Sequence, residues 1–582
     1  MRLFLLIILL SMTTFQTQAN DADVLEALFE QEWDFRASRD PLFARQLGKD
    51  YSRLGLTDMR PEALRKSADF YQQLASQLAA IDSSKLTTTD RVNYQIFSDQ
   101  IQANVSYADF GMAQMPFNSD SGFYSAFSRV KNRFQFNEIK DYEDYLMVLA
   151  DWQPHVKQQI ALMQKGLDRG FTQPKEILTT LSERTRSYIN SNTKRSIFYE
   201  PFITFPEHFT EQQKQSLAKQ AAEVIAQSVN TGYAELADFF AEDYIPNARN
   251  SIGAHELPNG EAFYADQIRY YTTLKLSPEE IHKMGLAEVK RIRSEMQDII
   301  KSLNFDGTFA DFVHFLRTDP RFYATSEEQL LSYASRIAKR MDGKLPQLFK
   351  TLPRTPYGIE PVPAQLAPNY TTGRYVRSPR GSTEPGYYWV NTYALDKRPL
   401  YEMEALTLHE AVPGHHLQIA LSQELDELPK FRQNSYISAY GEGWGLYAEW
   451  LGLEAGFYTD PYNNFGRLTY EMWRAVRLVV DTGMHAMGWT RQQAIDYLAE
   501  NTALSLHNVR TEIDRYISWP AQALSYKLGE MTIKRLRVEA ETKLGSKFDI
   551  REFHDVILSQ GAVPLNILIE QVRTYIAEVS AQ

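Results

Sequence analysis

The stretch His409-Glu410-Ala411-Val412-Pro413-Gly414-His415-His416 constrains this chain more than any other. Three of its eleven histidines fall within eight residues, and a carboxylate directly follows the first. Neutral imidazoles are the commonest metal ligands, and a neighbouring Glu suits the role of base for a zinc-bound water. A helical His-Glu-x-x-His places two imidazoles on one face. Here the later histidines stand at i+6 and i+7, roughly 9–10.5 Å along a regular helix. Two imidazoles with Zn–N bonds of about 2.0–2.1 Å cannot converge across that distance. Pro413 resolves the conflict. Its ring clashes with the carbonyl of His409 and it offers no N–H, while Gly414 permits an unusual backbone angle. The helix must therefore be interrupted at Pro413-Gly414, folding a later histidine back towards His409. Omitting those two residues leaves His-Glu-Ala-Val-His, which favours His415. His416 is the alternate ligand, or a hydrogen-bonding group for substrate or a carboxylate.

A catalytic zinc typically has three protein ligands and an open position. The segment Tyr440-Gly441-Glu442-Gly443-Trp444-Gly445-Leu446-Tyr447-Ala448-Glu449 offers two further carboxylates. Glu442 follows His415 by 27 residues, sufficient for a turn and a returning helix. Its flanking glycines favour it as third ligand, with Glu449, two turns on, as the alternate.

These segments, with Pro520-Ala521-Gln522-Ala523-Leu524-Ser525-Tyr526-Lys527, resemble the bacterial family DUF885, which is grouped with the gluzincin metallopeptidases. The resemblance spans most of the chain after the leader and is most specific in the last 200 residues. It implies a mainly helical architecture with a deep cleft, a bound Zn2+, and peptide-bond hydrolysis with Glu410 as general base. One position departs from the wider gluzincin pattern. Many gluzincins carry an acid four residues after the ligand Glu, and here Leu446 stands there, so support for the ligands must come from elsewhere.

Hydrolysis at zinc creates an oxyanion that needs a donor. Tyr516 and Tyr526 are candidates, because tyrosine donates while staying neutral at pH 7. Arg477, Asp481 and His485 share one helix face at i, i+4, i+8, with His485 a candidate donor to substrate. Arg510 and Lys527 are weaker candidates for holding a substrate carboxylate.

The chain opens Met1-Arg2, runs apolar from Leu3 to Leu10 and reaches Thr17-Gln18-Ala19, the pattern of a signal peptide cleaved after residue 19. Its apolar run is too short to span a bilayer, and no later stretch is long enough, so no integral membrane segment is expected once the leader is removed. A periplasmic or secreted location follows. With no cysteine, neither disulfides nor a lipid-bearing thiol are available. The net charge of -11, or -12 without Arg2, argues against nucleic acid as a partner.

Helical spacing predicts helices over 21–48, 60–81, 88–110, 138–169, 173–194 and 209–240. Ser277-Pro278-Glu279-Glu280 predicts a capped start for a helix running to about Leu303. Eight of 25 prolines lie between 350 and 400, excluding a long helix there, and Gly386–Thr392 reads as a short strand. The expected fold is mainly α with one small sheet, comprising an N-terminal helical region (20–270) and a zinc-binding catalytic region (271–582). The Pro-rich segment is expected to line one wall of a cleft between them. The expected activity is a zinc-dependent metallopeptidase acting on short peptides. A zinc amidase and a non-catalytic peptide- or metal-binding protein are the alternatives.

Overall fold

Local signals place most helices. In the computed structural model, which describes residues 20–49, 53–364, 366–380, 382–433 and 435–581, the expected leader 1–19 lies outside the described residues. The first helix, Asp21–Arg39, stops earlier than its spacing suggests. Asp40 precedes Pro41 and takes an extended conformation, as a residue before proline prefers, and its side chain caps the next helix, Pro41–Gln46. Helices Pro61–Ala79 and Thr88–Asp109 follow the expected spans. The reciprocal box at Ser277 forms: Glu280 N–H donates to Ser277 Oγ at 3.2 Å and Ser277 N–H to Glu280 Oε2 at 2.8 Å. The helix it opens spans Pro278–Ser302.

Two expectations need correction. The pattern over 138–169 divides at Asp151 into Ile139–Ala150 and Trp152–Arg169. The pattern over 173–194 yields only short turns around a six-residue helix, Leu181–Arg186. There Asn190 and Asn192 accept from the backbone N–H groups of Asn192 and Lys194, competing with helical bonding as asparagines do. The pattern over 209–240 begins at Glu211 and continues through π-helical turns to Tyr244.

The sheet has three strands: β1 (Tyr357–Pro361), β2 (Gly373–Val376) and β3 (Gly386–Val390). The order is β1-β3-β2, with β3 parallel to β1 and antiparallel to β2. Glycine meets aromatic across it: a Cβ on Gly373 would lie 3.0 Å from the Tyr388 ring. Beyond β3, Asn391 Nδ2 donates to the carbonyls of Ala367, Tyr370 and Thr371, pinning the loop that leads towards the histidine motif.

Two large apolar cores hold the helices together. One gathers Trp152, Tyr233 and Phe240 with Val476, Val480 and Ile513. The other gathers Leu28, Leu74 and Phe97 with Tyr388, Trp444, Ile533 and Leu568. Each core draws residues from both sides of residue 270, so the two expected regions share their interiors. The long helix Pro461–Ala486 is buried along most of its length between them. Among the described residues, no helix is long and apolar enough to cross a membrane.

Candidate metal centre

The motif folds as an interrupted helix. Met403–Glu410 forms the first segment and His415–Gln423 the second. Between them Ala411 and Gly414 leave helical angles, with ψ -113° and -128°. His416 N–H donates to the Ala411 carbonyl at 3.1 Å, spanning five residues rather than four. Gly414 is required by proximity: a Cβ there would lie 1.9 Å from the His409 carbonyl oxygen. Trp444 Nε1 donates to the Pro413 carbonyl at 2.8 Å and holds the interruption in place.

The fold-back brings His415 beside His409, their ring centroids 4.7 Å apart and the planes nearly perpendicular. Glu442, on the helix Ser438–Leu451, points its Oε2 to within 3.6 Å of His409 Nε2 and 3.5 Å of His415 Nε2. The three donor atoms lie within 4.8 Å of one another, a group that could hold a metal ion. Donors arranged tetrahedrally at zinc-ligand bond lengths are separated by about 3.3 Å, so the pocket fits an ion of that size. Electrostatics agree. Burial opposes a proton on His409, yet Glu442 and Glu449 outweigh it and raise its pKa to about 9. Burial would also raise Glu442, but the two imidazoles hold its carboxyl well below the usual range. The pocket is built for positive charge, which a proton or a cation can supply.

Glu449 is not one of the three donors. It accepts from His409 Nδ1–H at 2.8 Å, fixing that imidazole with Nε2 towards the pocket. This carboxylate occupies the supporting position that Leu446 cannot fill. Arg474 lies 3.7 Å from Glu449. His416, the alternate ligand, is turned away: its Nδ1 shares a 3.0 Å hydrogen bond with the Tyr375 hydroxyl, and burial lowers its pKa to about 4. Glu410, buried beside His409, accepts at Oε2 from the Tyr375 N–H of β2 at 2.7 Å. The sheet thus orients the carboxylate that the motif supplies.

The glycines around Glu442 serve different neighbours. A Cβ on Gly445 would lie 2.6 Å from the His409 ring, and one on Gly443 would lie 2.5 Å from Gly529 Cα of the helix Ser525–Leu544. Gly445 admits the ligand, and Gly443 admits a second helix. That second helix carries Tyr526, whose phenol feels the charge of Glu442 and whose ring stacks under the Arg477 guanidinium at 4.4 Å. Tyr436, unremarked in the sequence among 33 tyrosines, donates from its hydroxyl to Glu442 Oε1 at 2.7 Å. Tyr375 was equally illegible, because neither residue's spacing relates it to the motif.

Other expected site residues are engaged elsewhere. Tyr516 is buried, and its hydroxyl accepts from Trp473 Nε1 and Arg477 Nε. Both nitrogens of the fully buried His485 meet backbone, the Ala254 N–H and the Tyr516 carbonyl, and burial lowers its pKa to about 3. Asp481 accepts from Tyr264, whereas Arg477 and His485 both bond Tyr516, through its hydroxyl and its carbonyl. Lys527 is enclosed by Glu288, Glu471 and Glu530, which leaves it unable to meet a substrate carboxylate. Arg510 is exposed. A cleft of about 1050 Å³ opens next to Tyr436. Its described walls come from the helices Thr88–Asp109 and Gly260–Thr272 and from segments near 435 and 520, not from the Pro-rich segment.

The fold and donor set define a mainly helical protein in which two histidines and one glutamate converge as a group that could hold a metal ion. The chain belongs to the family described as bacterial protein of unknown function DUF885, whose profile matches residues 41–572. It is similar to a solved structure described as a candidate lipoprotein from Colwellia psychrerythraea, with 30% identity and a TM-score of 0.87 over 96% of this chain and 100% of that one. A candidate lipoprotein of unknown function from Shewanella oneidensis shares the fold, with a TM-score of 0.74 and 16% identity over 95% and 99% of the two chains. No curated protein matches the chain.

Proposed function

We propose that this protein is an exported, zinc-dependent metallopeptidase that hydrolyses short peptides. The observation that carries the reading is the convergence of His409 Nε2, His415 Nε2 and Glu442 Oε2 beside the sequence-adjacent Glu410. Zinc, when bound there, would polarise the scissile carbonyl and lower the pKa of a water to about 7. Glu410, oriented by the Tyr375 N–H, would take the proton of the attacking water and return it to the leaving amine nitrogen. Tyr526, whose phenol feels the charge of Glu442, would donate towards the developing oxyanion. An envelope location agrees with the descriptions of the similar structures as candidate lipoproteins, although this sequence has no cysteine to carry a lipid.

Metal analysis and a peptide-library digest test the reading together. Purified protein should contain about one zinc per chain, and His409→Ala should lose it. Glu410→Gln keeps an oxygen to accept from Tyr375, so it should retain zinc while turnover falls by ~10²-fold or more. Zinc retained by His409→Ala, or near-normal turnover by Glu410→Gln, contradicts the assignment. Cleavage of a simple non-peptide amide in preference to every peptide would transfer the proposal to a zinc amidase.

A further inference from the structure

The cleft beside the metal centre has an unusual lining. Exposed large apolar side chains are ordinarily scattered over a surface, but three of this protein's converge here: Tyr107 at 41% exposure, Tyr270 at 51% and Tyr436 at 60%. They arrive from three separate elements, the helix Thr88–Asp109, the helix Gly260–Thr272 and the segment before the Glu442 helix. Tyr271 and Trp519 complete the wall. Tyr271 packs edge-on against Tyr270, with centroids 4.8 Å apart, and against Trp519 at 6.3 Å, and its hydroxyl accepts from Trp519 Nε1. Tyr270, Tyr271 and Trp519 thus form a connected aromatic wall, with Tyr107 and Tyr436 also lining the cleft.

The charged groups of the cleft are largely engaged with one another. Arg269 pairs with Asp266 at 3.0 Å and lies 3.9 Å from Asp99. Arg36 is bound at two points by Glu32. What the cleft presents to an occupant is aromatic faces, with Lys275 and several uncharged polar side chains beside them. It adjoins the metal centre through one side chain, because Tyr436 lines the cleft and its hydroxyl donates to Glu442. A group seated against Tyr436 would lie one side chain away from Glu442.

We propose that this cleft is a side-chain subsite for an aromatic residue of the peptide substrate. The proposal rests on the peptidase reading for the identity of the ligand but not for the existence of the subsite. Stacked and edge-on contacts with tyrosine and tryptophan favour a planar apolar side chain over a small polar or acidic one. An acidic side chain would meet Asp99 and Asp266, and a basic one would compete with Arg269.

The test uses full-length protein carrying Glu410→Gln, loaded with zinc, so that binding is read without turnover. Two N-acetylated tetrapeptides differing only in Phe against Ser are titrated by calorimetry. The Phe peptide should bind about tenfold more tightly. Tyr270→Ala and Tyr107→Ala alter half-exposed side chains and should preserve melting temperature and zinc content. Each should weaken the Phe peptide by about five- to tenfold and leave the Ser peptide unchanged. Equal affinity for the two peptides, equal loss for both in the variants, or no binding of either peptide overturns the subsite. Selective binding of the Phe peptide with no hydrolysis by the wild-type protein upholds the subsite and removes the peptidase reading.

Discussion

His409 depends on Glu449. The ligand nitrogen faces the pocket only while Nδ1–H is held on the other side of the ring, and that bond is 2.8 Å long and buried. His415 has no equivalent brace among the described residues, where its buried Nδ1 finds no hydrogen-bond partner. Hydrogen-bonded orientation of the two imidazoles therefore rests on one carboxylate, while Tyr436 holds Glu442. Glu449→Gln keeps an acceptor but removes the charge that favours a basic ring, so zinc affinity should fall by about 10–100-fold, measured by competition with a chelator. Unchanged affinity would show that packing of Gly445 against the ring suffices. At this scale much of the centre was legible. Imidazole and carboxylate chemistry restricts the candidate ligands to few residues, and Pro413-Gly414 forces the fold-back. Tyr375 and Tyr436 were not legible, since each reaches the site from outside a helix and leaves no periodic trace. His485 shows the opposite failure: i, i+4, i+8 spacing says which residues share a face but not what that face meets.

The element that sets the depth of the site is the pair of helices Ser438–Leu451 and Ser525–Leu544, which touch through Gly443 and Gly529. A Cβ on Gly529 would lie 2.0 Å from the Ala439 carbonyl oxygen and 2.7 Å from Gly443 Cα. Neither neighbour is a side chain that can rotate away, so the helices must separate. Gly529→Ala should destabilise the fold by about 1–3 kcal/mol, the usual scale of overpacking, and weaken zinc binding because Glu442 moves with its helix. Denaturant unfolding with a parallel zinc titration reads both. A stable variant with normal zinc affinity would mean that the contact does not govern the site. Elements were most legible where capping chemistry was strong, as at Ser277, and least where polar residues competed for the backbone, as over 187–194. One strand of the sheet could be read from its aromatic and β-branched run. Its partners β1 and β2 could not, because β2 is four residues long and both flank it through irregular proline-containing loops.

Across the whole molecule, the helix Pro461–Ala486 links the shared cores and carries Asp481 into their interior. Asp481 Oδ1 accepts from Tyr264 at 2.6 Å and from the Ala521 N–H at 3.2 Å, while the buried Oδ2 has no hydrogen-bond partner among the described residues. Such long-range burial was invisible in the sequence, where Asp481 read as part of a functional face. Burial raises its carboxyl from 3.8 to about 7, and raises Glu402 from 4.5 to about 7. The folded state thus binds protons more tightly than the unfolded chain at both groups. Their contribution is most favourable below pH of about 4 and is lost as pH rises towards 7. For Asp481 the full span corresponds to an order of 4 kcal/mol at about 1.36 kcal/mol per pKa unit. Asp481→Asn is neutral at every pH and keeps an oxygen for Tyr264 and Ala521. Its stability relative to the wild type should therefore rise steadily between pH 4 and 8, read as the difference in unfolding free energy in urea at each pH. A difference that stays constant over that range would place the ionised carboxylate in an environment that solvates it, contrary to the burial seen here.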